Sequence, residues 1–359
     1  MADARASRLL DRDPVDGLAR RAMAQHVETA RRIPPRPRVI VTRRLMPQVE
    51  ARMADLFDVI LNPDDIPYSR EQLAAAIRDC DVLVPTVTDA IDAALIEQAG
   101  ERLGMIASFG AGTEHIDVAA ARAHGIMVTN TPGVFTDDTA DLTLALIILV
   151  LRRFSENMKS LREGQWSGWG PSVMLGHSLG GKVLGIVGMG RIGQAVAHRA
   201  RAFGMEIRYH NRHRLPAAVE NMLAARYEPD LDTLMAEADI VSLHCPAGPA
   251  TVHLIDARRI ALMKPSAAIV NTGRGQVIDE EALIAALAER RIAGAGLDVF
   301  AREPQVDPRL FALPGLVAMP HLGSATYEGR GAAGERIIAN IRFWVDGHRP
   351  PDMVIPDLP

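Results

Sequence analysis

From Arg38 onward, short runs of apolar and β-branched residues alternate with stretches in which apolar positions recur every three or four residues. The first pattern reads as buried strands and the second as amphipathic helices. Strands are expected at Arg38–Thr42, Phe57–Leu61, Asp81–Pro85 and Met105–Ser108, with helices near Gln48–Leu56, Glu71–Ile77 and Asp92–Gln98 between them. The alternation resumes after Gly181. Strands are expected there at Val183–Val187, Ile207–His210, Ile240–His244, Ala267–Asn271, Gly294–Val299 and Leu316–Met319, and helices at Arg191–Phe203, Asp279–Arg290 and Ala325–Val345. Strand–helix alternation of this kind implies parallel sheets covered on both faces, so the fold class is α/β with two doubly wound units.

Between the two units, Thr136–Gly164 is the longest helical candidate, with Thr136 placed to cap it and Asp137 and Asp138 suited to the dipole of its first turn. Its middle, Leu142–Leu151, is apolar nearly all round and is expected to be buried on several sides, between domains or subunits. Residues 1–37 differ from the rest. They are rich in Arg with interspersed acids and end in Pro34, Pro35 and Pro37, which reads as a flexible extension and linker.

Composition narrows the class. The chain has 359 residues, 48% hydrophobic and 23% charged, an ordinary globular profile long enough for two domains. The formal net charge of −4 provides no basic field for nucleic acid or an anionic membrane. The longest uninterrupted apolar run, Leu144–Leu151, is too short to span a bilayer, and residues 1–30 show no apolar core of a secretory leader. Cys80 and Cys245 cannot build a disulfide scaffold and suit a reducing, cytoplasmic setting. The histidines lack a metal-ligand spacing, so no metal is expected.

The chemistry-bearing motifs lie in the second unit. Lys182–Val187 is a buried strand running into Gly188-Met189-Gly190-Arg191-Ile192-Gly193 and then a helix. Glycines at this spacing allow a tight turn, close approach of a pyrophosphate and helix–strand packing, and the helix start offers free N–H groups to phosphate. An acid about 20 residues on would bind the ribose 2′-hydroxyl. Here the strand ends in His210-Asn211-Arg212-His213-Arg214, with no carboxylate. Asn cannot repel a phosphate and two guanidinia can grip one, which favours NADP(H), with NAD(H) the alternative. Three further segments sit at strand ends, where ligands of open α/β sheets bind. They are Asn271-Thr272-Gly273-Arg274-Gly275, Asp298 to Glu303-Pro304, and Pro320-His321. Arg suits a substrate carboxylate, His can exchange a proton near neutral pH, and a Glu beside it favours imidazolium. Together they describe hydride addition to a 2-keto acid with His321 as proton donor.

With these residues in place, the chain from about Arg38 to its end resembles the D-isomer-specific 2-hydroxyacid dehydrogenase family. Within that family it is most similar to the glyoxylate/hydroxypyruvate reductases, which share the Trp166-x-x-Trp169-x-Pro171 stretch and the Asn-Arg-x-Arg ending of the cofactor strand. The resemblance implies a substrate domain made of residues 38–132 and 321–359, with a Rossmann domain, 133–320, inserted between. It implies that Arg274 binds the substrate carboxylate, that His321 is the acid/base with Glu303 as partner, and that Ala111 and Gly112 offer backbone N–H groups to the carboxylate. Asp298 would bond the nicotinamide carboxamide, and Cys245 and Pro246 would border the adenosine. Thr251, Thr272, Gly273 and Gly323 complete the implied cofactor set. It also implies a homodimer in which Trp169 reaches the partner's substrate site. Asn211 departs from the Asp usual in NAD-using members, which puts strict NAD dependence in doubt. Two other readings stay open: a reductase of a larger keto acid such as 2-ketogluconate, and a dinucleotide-sensing interaction protein, since some relatives act as co-repressors.

Overall fold

The structure is a computed structural model and describes residues 33–355. The expected flexible extension lies, but for residues 33–37, outside the described residues. Two all-parallel sheets organise the rest. The first is built from β1 (Arg38–Val41), β2 (Asp58–Ile60), β3 (Val82–Val84), β4 (Met105–Ala107) and β5 (Met127–Thr129), in the order β2-β1-β3-β4-β5. The second is built from β6 (Val183–Val187), β7 (Glu206–His210), β8 (Ala225–Tyr227), β9 (Ile240–Leu243), β10 (Ala268–Asn271), β11 (Gly294–Leu297) and β12 (Leu316–Ala318), in the order β12-β11-β10-β9-β6-β7-β8. The central strands are buried on both faces, which is why they read as continuous apolar runs rather than alternating ones.

In each sheet the strand order reverses once, between β1 and β3 and between β6 and β9. Such a reversal opens a crevice beyond the carboxyl ends of the strands. The C-terminal helix Tyr327–Val345 returns to the first sheet, where Ile337, Ile338, Ile341 and Trp344 share a core with Val39, Met53, Val82 and Met105.

The expected single helix over Thr136–Gly164 is two helices. One runs Thr136–Leu151, and a second runs Phe154–Arg162 after Arg153 takes a left-handed φ of 50°. The break lets Ser155 Oγ donate to the Leu316 carbonyl at 2.7 Å and tie the second helix to β12. Thr136 does not cap the first helix. Phe135 holds the cap position without a side-chain bond, and Thr136 is already helical. The apolar stretch finds its cover within its own chain. Leu146 and Val150 lie over β11, where Gly294 and Gly296 make room: a Cβ would come within 2.9 Å of Val150 at Gly294 and 3.2 Å of Leu146 and Val150 at Gly296. Leu142, Ala145 and Ile148 remain only half-buried.

Short elements escape the hydrophobic pattern. These are β5, β8 and the helices Val118–Ala123, Ala217–Leu223, Leu231–Glu237 and Ala257–Leu262. Asp117, Asp230 and Asp256 cap three of them.

Candidate active site

The loop after β6 shows why two of its glycines, Gly188 and Gly193, are glycine. Gly188 has φ of 97°, and a Cβ there would lie 2.6 Å from Cys245 N, just past the end of the neighbouring strand β9. At Gly193 a Cβ would lie 2.4 Å from Gly188 O, so this residue lets the following helix pack against the loop. Gly190 faces open space. It starts the Arg191–Ala202 helix, whose first turn receives no side-chain cap. Free N–H groups and an unobstructed glycine at a topological switch fit a dinucleotide pyrophosphate. Ile192 is half-buried behind this turn and Arg191 is exposed beside it.

The loop after β7 differs from the expected pair of arginines. Asn211 Oδ1 accepts from Met189 N–H at 2.7 Å, which ties this loop to the glycine turn. Arg214 is bound to Glu220, with Nε and Nη2 donating at 2.9 and 2.8 Å, and lies over the Tyr227 ring. Tyr209 OH also donates to Glu220, at 2.6 Å, and accepts from Leu215 N–H. The bonds from Arg214 and Tyr209 pull the Glu220 carboxyl down to about 2. Arg212 and His213 are exposed, and Arg212 has no bonded partner among the described residues. Of the two arginines expected to grip a phosphate, Arg214 is thus paired with Glu220 and Arg212 is not.

At the end of β9, Cys245 is half-buried and Thr251 Oγ closes the following loop by donating to Pro246 O at 2.7 Å. Burial pushes the Cys245 thiol up to about 11, so it stays un-ionised. Beyond β10, Asn271 folds the next loop back on itself: Oδ1 accepts from Gly273 N–H at 3.0 Å, and Nδ2 donates to Arg274 O at 2.9 Å. Thr272 is buried with its hydroxyl 2.8 Å from that of Thr143. Arg274 Nη1 donates to Gly273 O, and Nη2 donates to Glu114 at 3.3 Å. Glu114 stands in the loop after β4, two residues beyond Gly112. In that loop Asn130 Nδ2 holds Ala111 O at 2.6 Å, while the N–H groups of Ala111 and Gly112 have no partner among the described residues.

Asp298 and His321 belong to one turn. The Asp298 carboxylate accepts from Leu322 N–H at 2.6 Å and Gly323 N–H at 2.8 Å, and Asp298 O accepts from His321 N–H at 2.9 Å. Thr139 secures Gly323 O from the other side. This turn gives His321 a left-handed φ of 55° and places its Nδ1 2.7 Å from Glu303 Oε2. Glu303 Oε1 is fixed in turn by Phe300 N–H at 2.9 Å. Arg274, Glu303 and His321 therefore gather at the carboxyl ends of β10, β11 and β12. Trp169 does not join them within one chain; it is 86% exposed.

The model of the D-isomer specific 2-hydroxyacid dehydrogenases, NAD binding domain, matches residues 144–323. A glyoxylate reductase from Thermococcus litoralis is 44% identical over 90% of this chain and 98% of its own length. The chain belongs to this dehydrogenase family. A glyoxylate reductase from Korarchaeum cryptofilum is 43% identical over 89% of this chain and 96% of its own. Among solved structures, an NADPH-dependent glyoxylate/hydroxypyruvate reductase from Sinorhizobium meliloti, bound to NADP and malonate, superposes with a TM-score of 0.79 at 32% identity, covering 89% of this chain and 97% of that one. The protein is thus an NAD(P)-dependent dehydrogenase acting on small 2-keto and 2-hydroxy acids.

Electrostatics in the dehydrogenase separate the acids from the base. The bond from Glu303 raises the His321 pKa above its ordinary value, outweighing burial. Burial works against ionisation of Glu303, yet His321 and the Phe300 N–H together hold its carboxyl below the usual range. Asp298 goes the other way: burial raises it, and the two N–H bonds only partly compensate. Glu114 and Glu220, the partners of Arg274 and Arg214, are not among the residues that the sequence singles out. Glu114 had a signal in its position two residues after Gly112; Glu220 had none, lying six residues from its partner in a helix that the pattern does not show. No group of three His, Cys, Asp or Glu side chains among the described residues is placed to hold a metal, and no described helix is long and apolar enough to cross a membrane.

Proposed function

We propose that the enzyme reduces glyoxylate or hydroxypyruvate to the corresponding 2-hydroxy acid. The observation that carries this reading is the His321–Glu303 pair at 2.7 Å beside Arg274, at the mouth of a dinucleotide crevice. A nicotinamide dinucleotide held in this crevice would supply the hydride for the carbonyl carbon. Arg274 and the free N–H groups of Ala111 and Gly112 receive the substrate carboxylate and fix the carbonyl. His321, charged with the help of Glu303, gives a proton from Nε2 to the carbonyl oxygen as the hydride arrives, leaving neutral imidazole and the hydroxy acid. Asp298 holds the 321–323 turn with both oxygens, and in this reading its carboxyl would also bond the nicotinamide carboxamide.

The same reading assigns Gly188, Gly190, Arg191, Ile192 and Gly193 to the pyrophosphate and Cys245, Pro246 and Thr251 to the adenosine end. Thr272, Gly273 and Gly323 flank the nicotinamide side. Arg212, free where Arg214 is not, favours NADP(H). Residues 38–132 and 321–359 would form the substrate domain and 133–320 the inserted nucleotide domain. A homodimer in a reducing, cytoplasmic setting completes the proposal. Its support is the cluster of exposed apolar side chains that follows the Thr136–Leu151 helix: Phe154, Leu161, Trp166, Trp169, Val173 and Leu175.

A kinetic panel of glyoxylate, hydroxypyruvate, pyruvate and 2-ketogluconate, each with NADH and NADPH, tests the substrate. Highest kcat/KM for one of the first two agrees with the proposal, and 2-ketogluconate as the best substrate contradicts it. A 38.9 kDa species in sedimentation at micromolar concentration would remove the dimer.

A further inference from the structure

The carboxylate end of the cleft holds an acid that the chemistry above does not use. Glu114 and Arg274 come from loops of different sheets, after β4 and after β10, and pair at 3.3 Å. They meet over Gly112. A Cβ on that residue would lie 2.1 Å from Arg274 Nη2 and 2.2 Å from Glu114 Oε2, so both side-chain ends sit directly against the glycine. The loop carrying Glu114 is fixed at its base, where Ser108 Oγ lies 3.1 Å from His115 Nε2. Burial keeps His115 neutral, with its pKa at about 4, and Asp89 adds a further negative charge nearby. The guanidinium that would meet the substrate is thus already shared with one carboxylate, and no second cation in this loop offsets it.

We propose that Glu114 is a positioning and specificity-determining residue, which holds Arg274 at the Ala111–Gly112 nest and restricts substrates to 2-keto monocarboxylates whose remaining substituent carries no negative charge. The proposal rests on Arg274 receiving the substrate carboxylate. A keto dicarboxylate such as oxaloacetate brings a second carboxylate into the same small cleft. That charge lies within a Debye length of Glu114, about 8–10 Å, with Arg274 already shared. Glyoxylate and hydroxypyruvate bring only the charge that Arg274 can absorb. Both side chains of the pair are about one-third exposed, so the repulsion acts at high effective dielectric and is worth on the order of threefold to tenfold in rate.

The experiment measures kcat/KM for glyoxylate and for oxaloacetate in wild type, Glu114→Gln, Glu114→Asp and Arg274→Ala, at low and high salt. Loss of Arg274 positioning touches both substrates and cancels in their ratio; loss of the charge does not. Glu114→Gln is expected to raise the oxaloacetate-to-glyoxylate ratio by roughly threefold to tenfold, less at high salt. Glu114→Asp, which keeps the charge, should hold the wild-type ratio. An unchanged ratio in Glu114→Gln, with Arg274→Ala still raising KM steeply, overturns the role of Glu114 and leaves the carboxylate clamp standing. Normal saturation by glyoxylate in Arg274→Ala overturns both.

Discussion

The two ends of the crevice are built by opposite means. The dinucleotide end works by leaving things out: Gly188 and Gly193 admit backbone where any side chain would collide, and Gly190 leaves open space before an uncapped helix. The end proposed for the keto acid brings charged side chains together, each held by a partner from another loop: His321 by Glu303, Arg274 by Glu114. The first design is a property of one short segment. The second depends on where three strands and two sheets set their loops. Damage at the glycine end should therefore appear in cofactor binding and stability, and damage at the charged end in turnover and its pH dependence.

The largest effect expected is on turnover. His321→Asn should lower kcat by ~10²–10⁴-fold, the usual contribution of a positioned general acid, while the NADPH dissociation constant stays near wild type. Equal losses in binding and turnover would erase the separation between the two ends. Gly188→Ala comes next. Its methyl group would be driven against the Cys245 backbone at a positive φ, so a destabilisation of about 1–3 kcal/mol and weakened NADPH binding are expected, read by thermal melting and cofactor titration. A variant that melts and binds as wild type would show that the loop has slack. Arg212→Ala is the mildest. It should cost about tenfold in kcat/KM with NADPH and little with NADH, since a half-solvated charge-assisted bond to phosphate is worth roughly 1.4 kcal/mol. A wild type that already prefers NADH would show that Arg212 points away from the ribose.

The same contrast explains what could be read from the chain alone. The glycine turn is local, and its strand, spacing and helix are all visible between Lys182 and Phe203. Arg274, Glu303 and His321 were legible because each stands just past an apolar strand. Their partners were less so. Glu220 engages Arg214 from a helix whose seven residues, Ala217–Leu223, carry too little periodicity to be seen, and only the fold shows the pair. Glu114 meets Arg274 across 160 residues, a contact no local pattern encodes. Nothing local marks the break in the long helix, since Arg152 and Arg153 are good helix formers, while the Ser155 bond to β12 that accompanies the left-handed turn at Arg153 spans 161 residues.

The charged His321–Glu303 pair as proton donor is the centre of the proposed mechanism, and the pH dependence of kcat/KM for glyoxylate reduction in wild type and Glu303→Gln tests it most directly. A donor imidazolium is lost as pH rises through its pKa, so wild-type activity should fall on an alkaline limb lying above the ordinary His value, because Glu303 raises that pKa. With a neutral Gln the imidazolium loses its partner, and the limb should move to lower pH. Coincident limbs in the two proteins would contradict the pair as the source of the proton.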